Sequence, residues 1–327
     1  MNFDVLEVFT RAGKITWKYK ILWIFGMFAG CGRSSGGNSS NSSSNSDFGN
    51  QPNENPFSPQ MINQLESFFE QIGIWLEQNT WVIFVLVVLA LISFILQIFF
   101  YYVGTAGLVR GVVHAENGVE TLNFGGLFSE SLKYFWRLLG SSLLIGLPFI
   151  IFFIAFFVII LFSIEGLNES MIGGMFALFF IAFCCFLLPF LILLGLYTIQ
   201  LHRVITIEDI GVFAAFPRAW QVFTKNFLGL ILVGIIIFIG SAILGIIISL
   251  PAIFAIVPLM GSLINGQITS WQPLILAGVF LLCYSPIAWF LNGVLITYTE
   301  SVWTLVYLRV TKPKEENNVP VLIEANA

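Results

Sequence analysis

Charge is what this 327-residue sequence has least of, with 10% of its residues charged against about 25% in a soluble globular chain. So little charge cannot build a water-facing surface around a chain of this length. Histidine is nearly missing: there are two, His114 and His202, and neither sits in an HExxH pattern. His114-Ala115-Glu116 and His202 with Glu208 and Asp209 are the groupings nearest to acid–base or metal chemistry. Both fall in interface connections, where polar residues are expected in any case. Of the four cysteines, Cys184, Cys185 and Cys283 lie inside apolar runs, where a thiol behaves as a small hydrophobe. No CxxC pair exists, which argues against a zinc or dithiol centre. There is also no GxSxG elbow, no Walker loop and no dinucleotide fingerprint. Paired carboxylates in a polar pocket are missing too, because most acids lie in loops. No catalytic, metal or cofactor-binding residue is assigned, no cofactor is expected, and the expected class is non-enzymatic.

What the sequence has in excess is apolar surface. Hydrophobic residues make up 57%, Phe alone numbers 35, and the mean hydropathy is +0.91. Only lipid can cover that much. The expected fold is all-α and integral to the membrane, with about six transmembrane helices arranged as three repeats of an amphipathic interfacial helix plus a helical hairpin.

The repeat is visible in three stretches: FTRAGKITWKYKILWIF (9–25), FSESLKYFWRLLGSSLLIG (128–146) and FPRAWQVFTKNFLGLILVGIIIF (216–238). Each has a Phe, a base nine residues later (Lys18, Arg137, Lys225) and then an apolar run. Bases toward head groups and aromatics toward acyl chains suit a helix lying in the interface. Arg11, Lys14, Lys18, Lys133, Arg137, Arg218 and Lys225 are therefore the candidate head-group anchors.

Taken in order, residues 1–31 form the first interfacial helix and a short first span. Asn2 is the expected cap, and Phe3, Leu6, Phe9, Gly13 and Thr16 or Trp17 share the expected apolar face. The apolar run 21–29 is short of the roughly 20 residues a crossing needs. Either neighbouring structure completes it, or Phe28-Ala29-Gly30-Cys31 is a lipoprotein cleavage box with Cys31 lipidated; the acids in the preceding region favour the first. Residues 32–58 are Gly/Ser/Asn-rich and expected to be a disordered loop.

Residues 59–110 hold an acidic amphipathic helix, begun by Pro59 and carrying Met61, Leu65, Phe68, Ile72 and Trp75, and then a span over 81–102 anchored by Trp81, Tyr101 and Tyr102. Residues 111–203 form the second repeat, following a polar connection over 110–123. Its face carries Phe124, Leu127, Phe128, Ser131 or Leu132 and Phe135. Its spans cover 138–164, with Pro148, and about 175–196, with Pro189, the chain turning at 165–170. Residues 204–311 are the third repeat, with a capping-box start at 206–209 or a restart near Pro217. Its first span, 227–250, is expected to be broken at its exit by Pro251 and Pro258. The last apolar run continues to 310, too long for one crossing, and is expected to leave the bilayer near Tyr298 and run on in the interface. Residues 312–327 are a polar tail. The whole, 1–327, is one membrane domain.

With six spans, Arg33 alone among the 14 bases falls on the side opposite the termini. The positive-inside rule then puts both termini in the cytoplasm of a multi-pass plasma-membrane protein. Within the spans the candidate polar groups are Gln97, Asn292 and Glu300. Glu300 is either intramembrane, where burying a carboxylate is costly and points to function, or at the cytoplasmic boundary. Pro189 and Pro286 suggest kinks at matching depths, which can mark a transport site.

RAWQVFTKNFLGLILV (218–233), RAGKITWKYKILWIFG (11–26) and YTESVWTLVYLRV (298–310) resemble a loose bacterial group of six-helix membrane proteins related to the membrane domain attached to some glycerophosphodiester phosphodiesterases. The likeness covers most of the chain outside 32–58. The catalytic barrel of those enzymes has no counterpart here, so no enzymatic residue carries over; the insert and the short first span also depart from the pattern. The function expected is membrane organisation, lipid interaction or partnership with another membrane component. The partners expected are the lipid bilayer and its anionic head groups, with another membrane protein as a further candidate, and not nucleic acid. The alternative is a transporter with a polar path between the repeats.

Overall fold

The computed structural model describes residues 4–37, 59–164, 183–264 and 271–311. Among these, every regular element is helical: α1 (Val5–Lys18), α2 (Ile21–Gly37), α3 (Pro59–Gln78), α4 (Thr80–Glu116), α5 (Phe124–Ile164), a π-helical turn (Phe183–Leu187), α6 (Leu188–Ile207), α7 (Val212–Lys225), α8 (Phe227–Ile264) and α9 (Gln272–Thr311). Five of the described helices, α4, α5, α6, α8 and α9, are long and apolar enough to cross a membrane, and α2 adds a shorter apolar helix, Ile21–Cys31. The expected six is thus five full-length helices and a short one. The disordered-loop expectation for 32–58 gives way at its start, since α2 runs on to Gly37. Residues 38–58, the 165–170 turn, the start of the fourth span and the 312–327 tail lie outside the described residues.

The helices are packed at one end and bare at the other. In the most apolar 18-residue window of α4, none of the residues is buried, whereas residues 102–109 are all buried. The last part of α9 is likewise enclosed, with residues 300–307 buried without a break. An apolar surface as large as the bare ends present is untenable in water and suits hydrocarbon, where a helix satisfies its own backbone.

At the packed end close backbone approach joins α2 to its neighbours, as expected where lipid removes the hydrophobic drive between helices. Gly104, Gly107 and Gly111 line one face of α4 and admit α2: a Cβ on Gly104 would lie 2.5 Å from the Ala29 nitrogen, and one on Gly107 2.5 Å from the Phe25 ring. On its other side α2 meets α9 at Gly26 and Gly293, where a Cβ on Gly26 would collide with the Gly293 carbonyl. Thr297 donates across this crossing to the Leu22 carbonyl (3.1 Å). The short first span is therefore held between two long helices, and the cleavage-box residues sit inside a packed helix.

Several expectations are corrected. Asp4 caps α1, its Oδ1 accepting from Leu6 N at 3.0 Å; Asn2 lies outside the described residues. The packed face of α1 is Val8, Ala12, Ile15 and Thr16, docked on α9, while Leu6 and Trp17 face outward. Between α1 and α2 the corner is stapled by Trp23 Nε1 donating to the Thr16 carbonyl and Tyr19 Oη to that of Val119. The first half of the 110–123 connection is helix, because α4 continues to Glu116. Asn123 does cap α5, accepting from Gly125 N, but α5 then runs unbroken from the amphipathic part into the apolar one.

Thr206 ends α6 instead of starting a helix, since the apolar period continues through Val204 and Ile205 into the core. The chain turns at Asp209, whose φ of 52° is left-handed, and α7 starts at Val212 and continues through Pro217. The Phe213 carbonyl that Pro217 leaves without a helical donor belongs to an exposed residue, where other donors can reach it. Pro251 and Pro258 do not break α8, a tolerance known for membrane helices. Pro189 follows the π-helical turn, a widened turn of the kind that accommodates a missing donor, whereas Pro286 lies inside continuous α9; the two spans are not broken alike. Finally, α9, about 60 Å long at 1.5 Å per residue for 40 residues, continues unbroken past Tyr298. Its end is enclosed by α1, α2, α4 and α6.

Candidate functional site

Polar side chains gather at the packed end in two layers. The outer layer joins the helices by ion pairs. Arg11 of α1 meets Glu116 of α4 (3.1 Å), and Arg309 of α9 meets both Glu116 (3.3 Å) and Glu7 of α1 (3.0 Å). Arg110 and His114 of α4 share Glu130 of α5, at 2.7 and 2.9 Å, and Arg110 also donates to Tyr134 Oη. Arg137 of α5 holds Asp209 at 2.6 Å. Arg218 of α7 donates to both carboxylate oxygens of Glu208, and Tyr307 Oη of α9 donates to Glu208 Oε1 at 2.7 Å. Burial alone would push the Glu208 carboxyl up, but the hydrogen bonds from Arg218 and Tyr307 outweigh it and hold the group below the usual carboxylate range.

The seven candidate anchors divide accordingly. Arg11, Arg137 and Arg218 are engaged within the chain, while Lys14, Lys18, Lys133 and Lys225 are exposed. Beside them the three interfacial segments turn a tryptophan outward: Trp17, Trp136 and Trp220 are 67%, 74% and 58% exposed.

The inner layer holds a buried ion pair. Arg203 Nη2 of α6 donates to Glu300 Oε2 of α9 at 2.5 Å, with side-chain exposures of 1% and 5%. Arg203 Nη1 also donates to the Ile199 carbonyl of its own helix (2.7 Å). Next to it, His202 Nε2 lies 3.0 Å from Ser142 Oγ of α5, and its ring meets Tyr102 edge-on. The pair closes one end of a cavity of about 350 Å³ between α4, α6 and α9, lined also by Tyr101, Thr105, Leu191, Leu194, Gly195, Thr198, Ile199 and His202. A buried pair of this kind is costly to desolvate and is weak evidence for stability, which makes it the strongest candidate for function in the described residues.

Of the three polar candidates within spans, Glu300 alone is on this cavity. It is buried. Gln97 is exposed on α4, and Asn292 is half-buried on α9 away from the cavity lining. The histidine groupings of the sequence also separate, since His114 and Glu116 take different partners, as do His202, Glu208 and Asp209. Arg203 was missed as a site residue because it stands near the end of an apolar run. The signal was present: among Asp, Glu, Lys and Arg, Arg203 stands alone between Glu169 and Glu208, and Glu300 alone between Lys225 and Arg309.

A model for a family of unknown function, DUF7544, matches residues 16–315. The chain belongs to that family. The match takes in the buried pair and, apart from Glu7 and Arg11, the ion-paired layer, and gives no link to glycerophosphodiester phosphodiesterases. No curated protein and no solved structure matches the chain.

Proposed function

We propose that this is a non-enzymatic, multi-pass protein of the bacterial plasma membrane that engages anionic lipid head groups at its packed, cytoplasmic end. The observation that carries the reading is the outward pairing of Trp17, Trp136 and Trp220 with exposed lysines on the interfacial segments. Tryptophan favours the membrane–water boundary, and each base near an anionic surface contributes about 1 kcal/mol. The three segments are repeats of one unit: Val8, Ala12 and Ile15, then Leu127, Ser131 and Tyr134, then Ala215, Ala219 and Val222 stand at equal offsets from Phe9, Phe128 and Phe216, and all nine are buried.

Six crossings complete the reading. Glu7 meets Arg309, and Glu116 meets Arg11, so α1 shares an end with the last turns of α4 and α9. Gln64 of α3 accepts from Trp271 at the start of α9, at the opposite end. The chain between α1 and α3 must cross, and α2 is the helix available. The likeness to the phosphodiesterase membrane domain fits a lipid-facing role, and rests on its sequence motifs alone.

The test is lipid selectivity in bilayers, read as quenching of tryptophan fluorescence by brominated phosphatidylglycerol against brominated phosphatidylcholine. The intact chain should favour the anionic lipid several-fold, and changing Lys14, Lys18, Lys133 and Lys225 together to Gln should remove the preference. Equal selectivity before and after the change would overturn the proposal. A transporter, the second reading, has the burial of Glu300 at a cavity in its favour and the outward position of Gln97 against it.

A further inference from the structure

The geometry points to a binding site, between α4 and α6, for a single-chain amphiphile whose head group is zwitterionic. The site stands apart from the lysines and tryptophans of the membrane boundary, and its argument does not depend on theirs.

The cleft is graded along its length. Leu191 and Leu194 line it at one end and Arg203 with Glu300 at the other, about 18 Å apart along α6 at 1.5 Å per residue. Thr105, Thr198 and His202 lie on the ionic side of that gradient. Leu191 and Gly195 are exposed residues of α6, so the apolar end opens on the flank that faces hydrocarbon. A lipid chain can enter there sideways, without passing through water. The volume, about 350 Å³, falls in the lower part of the range for small-ligand sites, enough for a small head group and the first methylenes of one chain, whose remainder would lie along the open apolar end.

The head-group assignment follows from charge. Arg203 and Glu300 present a donor cation and an acceptor anion side by side, with zero net charge. A purely anionic head group would draw on Arg203 while facing the like charge of Glu300. A head group with one anionic and one cationic centre can address both without separating them. An ammonium with hydrogens suits the carboxylate better than a quaternary one, because it donates hydrogen bonds as well as charge.

Gly195 provides the handle for a test. It lines the cleft, and a Cβ added there meets nothing within 4 Å, so Gly195→Phe can fill the site without disturbing the packed end. The full-length protein in detergent is titrated with lysophosphatidylethanolamine, lysophosphatidylglycerol and chainless phosphoethanolamine. Binding is read as the rise in unfolding temperature and as adducts in native mass spectrometry. Lysophosphatidylethanolamine should bind about tenfold or more tightly than either comparator, and Gly195→Phe should abolish its effect without lowering the unliganded unfolding temperature. Equal or tighter binding of lysophosphatidylglycerol overturns the head-group assignment. Equal binding of phosphoethanolamine overturns the role of the chain. Undiminished binding to Gly195→Phe, or none to the unaltered protein, overturns the site.

Discussion

Arg203 and Glu300, 97 residues apart in sequence, meet at 2.5 Å where α6 crosses α9, and both side chains are almost wholly withdrawn from solvent. Each is the neutralising partner of the other. Breaking a buried pair by removing one member costs about 3–5 kcal/mol, whereas replacing both by apolar residues of similar volume is often neutral. Arg203→Met and Glu300→Leu should each lower the unfolding temperature sharply in detergent, and the double variant should recover most of the loss. A double variant as unstable as the singles would show that the pair is not a coupled unit.

The α2–α9 crossing makes a second prediction. Gly26→Ala places a methyl group against the Gly293 carbonyl, backbone that cannot rotate away, and overpacking of this kind costs about 1–3 kcal/mol. Gly73, in the middle of α3, has nothing within 4 Å of an added Cβ, so Gly73→Ala should stabilise its helix by about 0.5–1 kcal/mol. Paired thermal unfolding of the two variants checks the contrast; equal behaviour would remove the close approach as an explanation.

Glu208 predicts a pH dependence. Its carboxyl is held below the usual range by Arg218 and Tyr307, so the folded state favours the ionised form more than the unfolded state does. That contribution is fully present above the unfolded value of about 4.3 and is lost as pH falls through the lower folded value. The unfolding temperature of Glu208→Gln should lie below that of the unaltered protein by a constant margin from pH 8 to pH 6, buffer conditions in which an unfolded carboxylate near 4.3 is ionised. The margin should close in acid. A margin that widened on acidification would have the wrong sign.

Topology can be checked directly in cells carrying a cysteine-free form of the chain. Cysteine at Ser67 of α3 should react with an impermeant maleimide on intact cells, and cysteine at Lys14 of α1 only after permeabilisation. Reaction of both under the same condition would eliminate a crossing by α2.

Composition and period alone determined that the chain is helical, that lipid must cover it, and where most spans fall, because scarce charge and unbroken apolar runs admit few other solutions. The 9-residue offset from Phe to base marked the interfacial segments for the same local reason. Sequence left open which face of α1 packs, since Leu6 and Trp17 are as apolar as the residues that are buried; against lipid, polarity no longer separates inside from outside. It also left open what the end of α9 packs against, since an overlong apolar run fits a lone interface helix or an enclosed one equally well. Only the tertiary structure decided that Arg203 and Glu300 belong together, because a pairing between distant helices depends on how they cross, and here glycines at Gly26, Gly104 and Gly293 set how closely the helices come.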